Sequence, residues 1–289
     1  MKIVQQQAEL AELVREARLQ GATIGLVPTM GALHRGHASL ITRSAKECDL
    51  TIVTIFVNPT QFNDSNDLKN YPRTFEADCE MVQAHGGNVI FAPSIDEIYP
   101  EPDQRPFAYP PIDTAMEGAR RPGHFNGVCQ IVSKLFSMTM PDRAYFGEKD
   151  FQQIAVVRAM MDDLGFDFEL VPCPIVREAS GLAMSSRNEL LTSDERVTAA
   201  HISRVLFESR EFAKQHDVAA TRKQVIDQLN AIGDLEVEYF DIVDAHSLQS
   251  VESWEQSADI QGCITVYCGS RPVRLIDNIA YRRAHSMCD

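Results

Sequence analysis

Residues 28–37, Pro-Thr-Met-Gly-Ala-Leu-His-Arg-Gly-His, hold the densest chemistry in the chain. Two histidines three apart share one face of a helix. His34 and His37 follow the apolar run 23–27 and lead into Ala38-Ser39-Leu40-Ile41, so they are expected at the start of a helix that follows a buried strand. The first N–H groups of a helix lack partners within it, and the helix dipole adds positive potential there, which favours an anion. Gly36, between the two imidazoles, leaves a ligand room to approach the backbone. A strand, a glycine turn and a histidine-bearing helix start together describe a nucleotide phosphate site. An isolated H-x-x-H also arises by chance or as a helix cap; the flanking strand and helix give this one its weight.

Three further polar clusters suit the same chemistry. Gly147-Glu148-Lys149-Asp150 follow Ala144-Tyr145-Phe146, and Lys149 offers phosphate a point charge. Asp150 and Gln153 also read as D-x-x-Q, a capping box for the next helix. Asn58-Pro59-Thr60-Gln61-Phe62 follow a second apolar run; the Gln61 amide both donates and accepts, which suits a substrate bearing a hydroxyl and a carboxylate. Residues 180–188 place Ser185, Ser186 and the Arg187 guanidinium in a glycine-bearing loop, a grip for a polyphosphate on a linker able to close as a lid. His124 reads as a cap or a loop-packing residue; His85, His201, His216, His246 and His285 read as ordinary surface or partly buried residues.

The elements that must position these clusters alternate. Strands are predicted at 23–27, 50–57, 88–91, 143–146 and 168–171, and helices at 8–19, 37–47, 74–85, 125–138 and 151–164. The runs 23–27 and 50–57 are nearly all apolar, as in a parallel sheet covered on both faces. The pattern predicts an α/β fold, a doubly wound parallel sheet. In such sheets ligands bind beyond the carboxyl ends of the strands, where the clusters after the first, second and fourth strands would converge. Residues 92–122, with seven prolines, cannot form one regular element and read as a long ordered excursion. Past Val176 the pattern changes: a T-x-x-E capping box at Thr192–Glu195, a long helix over 193–216, another over 221–232, and strands at 237–243, 263–268 and 273–279. This describes a smaller C-terminal α+β domain, with a boundary expected between 1–177 and 178–289.

The whole chain fits a soluble globular protein: 289 residues, 44% hydrophobic and 24% charged. No stretch reaches the roughly 18–20 apolar residues of a membrane span, and the first residues lack a signal-peptide core. Seven scattered cysteines without a C-x-x-C pair suit reduced thiols and a cytoplasmic location, and argue against a disulfide framework or a zinc site. A net charge of −14 argues against a generic nucleic-acid binder, so phosphate would be bound locally.

Five motifs standing in order carry a resemblance: P-T-M-G-A-L-H-x-G-H at 28–37, F-V-N-P-x-Q-F at 56–62, R-P-G-H-F-x-G-V at 121–128, G-E-K-D-x-Q-Q at 147–153 and G-L-A-M-S-S-R-N at 181–188. H-x-G-H with M-S-S-R resembles the nucleotidylyltransferase superfamily with its HIGH-type motif, and the full set resembles the pantothenate synthetase (pantoate–β-alanine ligase) family across nearly the whole chain. Two departures are Ser180, where an acidic residue is common, and Gln130, where Thr is frequent. The resemblance implies a Rossmann-like catalytic domain and condensation of (R)-pantoate with β-alanine through a pantoyl adenylate, releasing pyrophosphate and AMP. It implies ATP contacts at Met30, Gly31, Ala32, Leu33, His34, Arg35, Gly36 and His37, with His37 the proton donor and His34 a second donor. It adds Gly147, Glu148, Lys149 and Asp150, with Lys149 on phosphate; Val176 through its main chain; and Met184, Ser185, Ser186 and Arg187 as the closing grip. Gln61 and Gln153 would bind pantoate, Gln61 also lying near β-alanine. Mg²⁺ carried on the ATP phosphates and a cytoplasmic homodimer are implied as well.

Overall fold

The structure is a computed structural model that describes residues 1–63 and 65–283; His285 and Cys288 lie outside the described residues. The chain divides into two compact units, neither continuous in sequence. The first contains Met1–Tyr109, Arg120–Glu148 and Gln153–Pro174; the second contains Pro110–Ala119, Lys149–Gln152 and the chain from Ile175 onward.

In chain order the first two thirds form β1 (Lys2–Val4), α1 (Gln7–Leu19), β2 (Ile24–Thr29), α2 (Arg35–Glu47), β3 (Leu50–Ile55), a 3₁₀ turn at Pro59–Gln61, α3 (Ser65–Asn70), α4 (Phe75–Ala84), β4 (Val89–Phe91), α5 (Ile95–Ile98), α6 (Met116–Arg120), α7 (His124–Thr139), β5 (Arg143–Gly147), α8 (Phe151–Leu164) and β6 (Glu169–Cys173). The six strands make a wholly parallel sheet in the order β1-β4-β3-β2-β5-β6. β2 and β3 are buried almost throughout, because neither sheet face meets water. Val27, Val53 and Tyr145 pack with Leu40 and Ile41 of α2 and Val82 of α4. Alternate residues such as Leu26 and Ile52, equally buried, face the other side. Each such residue contributes about 1.5–3 kcal/mol of burial. The chain runs β2, β3, β4 in one direction and then returns to add β5 on the far side of β2, so the topological switch lies between β2 and β5.

The predicted strands and helices of this unit are present with small shifts at their ends. β1 was not expected: three residues are too short a run to show period or burial, and pairing with β4 makes it a strand. The excursion is ordered by its neighbours. Gln130 of α7, at one of the departures noted above, donates from Nε2 to Asp103 O (2.9 Å) and Arg105 O (3.2 Å). Arg105 grips the Asp103 carboxylate and holds it at a pKa of about 2.

The second unit is built on a three-stranded antiparallel sheet, β7 (Leu235–Asp244), β8 (Ile260–Cys268) and β9 (Val273–Arg282), in that order. α9 (Ser193–Ala199), α10 (His201–Phe212) and α11 (Val218–Asn230) precede it. One sheet face carries Ile264, Val266, Leu275 and Ile279 into a core with Ile202, Leu206, Val225 and Leu229. The expected capping box forms, Glu195 N donating to Thr192 Oγ1 and Thr192 N to Glu195 Oε2. The single helix expected over 193–216 is instead α9 and α10, interrupted at Ala200 and ended at Phe212. At that end the His216 ring donates from Nδ1 to Phe212 O at 2.9 Å and stacks on the Phe212 ring, drawing the chain out of helical path.

The opposite sheet face is polar and holds the two segments contributed from mid-chain. Arg274 donates from both terminal nitrogens to the Glu117 carboxylate (2.7 and 2.7 Å), joined by the Tyr239 and Thr265 hydroxyls (2.9 Å each). Burial alone would raise the Glu117 carboxyl; Arg274 and the hydroxyls outweigh it and hold it at about 2.

Candidate active site

All strands of the parallel sheet end on one edge, and the loops after β2, β3 and β5 stand there. α2 begins with a reciprocal cap made by the two histidines. His34 N donates to His37 Nδ1 (3.3 Å), and Gly36 N donates to His34 Nδ1 (3.1 Å). The rings lie 4.1 Å apart, centroid to centroid, tilted by 34°. Because each Nδ1 accepts a backbone N–H, the proton of each neutral ring sits on Nε2. The first turn of α2 contains no acidic residue to offset the dipole.

The loop entering α2 is fixed by a residue that sequence reasoning missed. Asp78 of α4, only 2% exposed, accepts from Ala32 N through Oδ2 (2.9 Å) and from Leu33 N through Oδ1 (2.8 Å), while Thr74 Oγ1 donates to Oδ1 (3.0 Å). Gly31 and Ala32 both take positive φ, 82° and 50°, and a Cβ on Gly31 would lie 3.0 Å from Asp78 Oδ2. The glycine is thus required by both its backbone and its neighbour. The legible signal was the acidic residue itself: Asp78 shares a helix face with the fully buried Val82, four residues on.

Gln61 ends the 3₁₀ turn after β3 and is 9% exposed. Its Nε2 donates to Met30 Sδ (3.0 Å), which brings it to the loop after β2; its Oε1 accepts from Asn58 Nδ2 (3.2 Å). The R-P-G-H-F-N-G stretch seats this turn. His124 donates from Nδ1 to Gln61 O (2.9 Å), Asn58 Nδ2 donates to Gly127 O (3.0 Å), and a Cβ on Gly127 would fall 2.3 Å from Thr60 O. Of the two readings offered for His124, loop packing is the one the geometry shows. Gly147 closes β5 and Glu148 follows it; Gln153, half-buried, stands in the first turn of α8.

The remaining predicted site residues lie in the second unit. Lys149 is mostly buried, its Nζ 3.4 Å from Asp150 Oδ2. Val176 O accepts from Met184 N (3.0 Å), closing a turn in which Glu178 N donates to Leu182 O (2.8 Å) and Gly181 takes φ 93°. Ser185 caps the 3₁₀ turn Ser186–Leu190 by accepting from Arg187 N (3.2 Å). Ser180, the other departure, accepts from Leu182 N (3.4 Å) within the same turn. Arg177 anchors that turn to β9 by a two-pronged contact with Asp277 (2.6 and 2.9 Å) and a bond to Gly181 O (3.2 Å). Burial still raises the Asp277 carboxyl above its ordinary value despite Arg177. The structure thus joins His34 to His37 and Gln61 to Met30 in one unit, and Val176 to Met184 in the other. The six described cysteines are free thiols.

Comparison with known proteins points one way. A family model described as pantoate-beta-alanine ligase matches residues 2–280. The chain is 56% identical over 284 residues to a curated pantothenate synthetase of Bacteroides fragilis, covering 98% of this chain and 100% of that protein. It is 58% identical over 283 residues to that of Phocaeicola vulgatus, with 98% and 100% coverage. Among solved structures it resembles pantothenate synthetase from Thermus thermophilus (TM-score 0.90, 40% identity, 98% of this chain and 100% of that one). It also resembles the Francisella tularensis ligase complexed with β,γ-ATP and β-alanine (TM-score 0.82, 33% identity, 97% and 98%).

Proposed function

The chain belongs to the pantoate-beta-alanine ligase family, and from that premise we propose how its residues divide the work. The reaction is ATP-dependent formation of pantothenate. A free carboxylate is a poor acyl electrophile, because its leaving group would be oxide. Attack of a pantoate carboxylate oxygen on the α-phosphorus of ATP breaks the bond to pyrophosphate and gives pantoyl adenylate. The amine nitrogen of β-alanine then attacks the acyl carbon, the bond to AMP breaks, and the amine gives up a proton.

The start of α2 carries the reading: a helix N-terminus whose cap fixes two imidazoles with their protons on Nε2. In this reading Met30–His37 hold the ATP phosphates. His37, as proton donor, hydrogen-bonds the departing pyrophosphate, and His34 supports it; charge is met by prearranged donors instead of water. Gly147, Glu148, Lys149, Asp150, the Val176 main chain and Met184–Arg187 are assigned to the same nucleotide. Lys149 and Arg187 supply its cationic contacts. Gln61 and Gln153 are assigned to pantoate, and Gln61 also to β-alanine. The mixed anhydride must be kept from water, which would hydrolyse it. Among the described residues no three His, Cys, Asp or Glu side chains form a metal cage. Magnesium, which keeps waters and takes phosphate oxygens, enters this reading on the ATP phosphates, where it would neutralise phosphate charge. A cytoplasmic homodimer belongs to the proposal.

The test is exchange of labelled pyrophosphate into ATP by the purified protein. Exchange that requires pantoate, with AMP accumulating only when β-alanine is added, supports the reading. A stable adenylylated product accumulating in place of AMP would refute it.

A further inference from the structure

Resting on the assignment of Lys149 to ATP, we infer that Asn278 of β9 is a positioning residue for that lysine, anchoring its main chain to the polar face of the antiparallel sheet. Asn278 is 5% exposed and donates from Nδ2 to Lys149 O at 3.0 Å. Its Oδ1 accepts from Gln261 Nε2 at 2.7 Å, and Gln261, on the neighbouring strand, is equally buried. That second bond fixes the amide: with Oδ1 committed to Gln261, Nδ2 must face the Lys149 carbonyl. A buried amide pair is no more stabilising than an apolar pair of like size. What it adds is direction.

The other end of the segment is held as firmly. Gln152 donates from Nε2 to Ile112 O (2.8 Å) and Ala115 O (2.9 Å), and its Oε1 accepts from Glu117 N (3.0 Å). Glu117 is the carboxylate locked by Arg274 on the same sheet face. Lys149–Gln152 is therefore held at one end by β9 and at the other by the segment that Arg274 ties to the same sheet face. A lysine ammonium rides on a flexible four-carbon stem, so its reach to a phosphate is set by where its main chain is held. Functional groups need placement within about 0.5 Å, and an unpinned loop does not give it.

The experiment measures the Kd of ATP by titration calorimetry on the full-length protein and on Asn278→Ala, Lys149→Ala and the double variant. Thermal unfolding of each variant, measured alongside, gives the folded fraction f, and the observed Kd is multiplied by f so that partial instability does not mimic the effect. Asn278→Asp, nearly isosteric and without the Nδ2–H donors, is measured alongside. The inference expects Asn278→Ala and Asn278→Asp each to weaken ATP about tenfold, as loss of one buried hydrogen bond does. It expects the double variant to bind no more weakly than Lys149→Ala alone, since there is then no ammonium to misplace. A double variant that loses the product of both factors overturns the inference, as does wild-type affinity in both Asn278 variants. Unchanged affinity in Lys149→Ala overturns the lysine's own assignment and the inference with it.

Discussion

Replacing Asp78 by Asn tests whether the loop entering α2 must be held by a carboxylate. The two oxygens of Asp78 accept separately from Ala32 N at 2.9 Å and Leu33 N at 2.8 Å. An asparagine has one oxygen; its amide nitrogen would point a donor at a donor. At least one charge-assisted bond is lost, worth about 1.5–3 kcal/mol. Asp78→Ala loses both, an upper bound of about 3–6 kcal/mol if they add. If the loop's geometry is used to bind ATP, that energy appears as an ATP KM raised about 10- to 100-fold in Asp78→Asn. The KM of pantoate should change much less, because Gln61 is seated by Asn58 and His124. Pantoate-dependent pyrophosphate exchange gives both constants, and thermal unfolding reports the stability cost. An ATP KM within twofold of wild type in a folded Asp78→Asn protein would refute the reasoning.

Gly127→Ala places a methyl 2.3 Å from Thr60 O and pushes the Gln61 turn off α7; at an overpacking cost of about 1–3 kcal/mol, the pantoate KM should rise roughly tenfold or more, read in the same exchange assay. Glu117 governs an acid-dependent part of the second unit's stability. Its folded pKa of about 2 lies below the unfolded value of 4.5, so its contribution is complete above about pH 4.5 and is lost as pH falls toward 2. The gap corresponds to about 3 kcal/mol. Urea unfolding followed by the fluorescence of Trp254, which packs against that unit's core, should show an acid loss of stability about 3 kcal/mol smaller in Glu117→Gln than in wild type, the remainder coming from carboxylates such as Asp244, also held at about 2; equal slopes would contradict it.

The legible parts of the molecule were those whose cause is local. The H-x-G-H pair declared a helix start because capping is decided within four residues, and 23–27 and 50–57 declared a parallel sheet because both faces had to be apolar. The break at Ala200 was invisible, since helix-forming residues continue through it. Asp78 acts on residues 45 and 46 positions away, so only its place on a buried helix face hinted at it. Chain order hid the placement of Pro110–Ala119 and Lys149–Gln152 in the second unit. Nothing near Glu117 announces a partner at Arg274, and nothing near Lys149 announces Asn278.

The central claim is that the imidazole of His37 stabilises the departing pyrophosphate, and His37→Gln tests it most directly. Glutamine at this third helical position keeps a capping acceptor for His34 N, so the unfolding temperature should stay close to wild type. The glutamine amide keeps N–H groups but gives up no proton, and with its oxygen on the cap it does not hold a donor where the imidazole did, so the pantoate-dependent exchange rate should fall about 10²- to 10³-fold, the cost of about 2.7–4 kcal/mol for one displaced transition-state donor. Exchange at the wild-type rate from a normally stable His37→Gln protein would contradict the account.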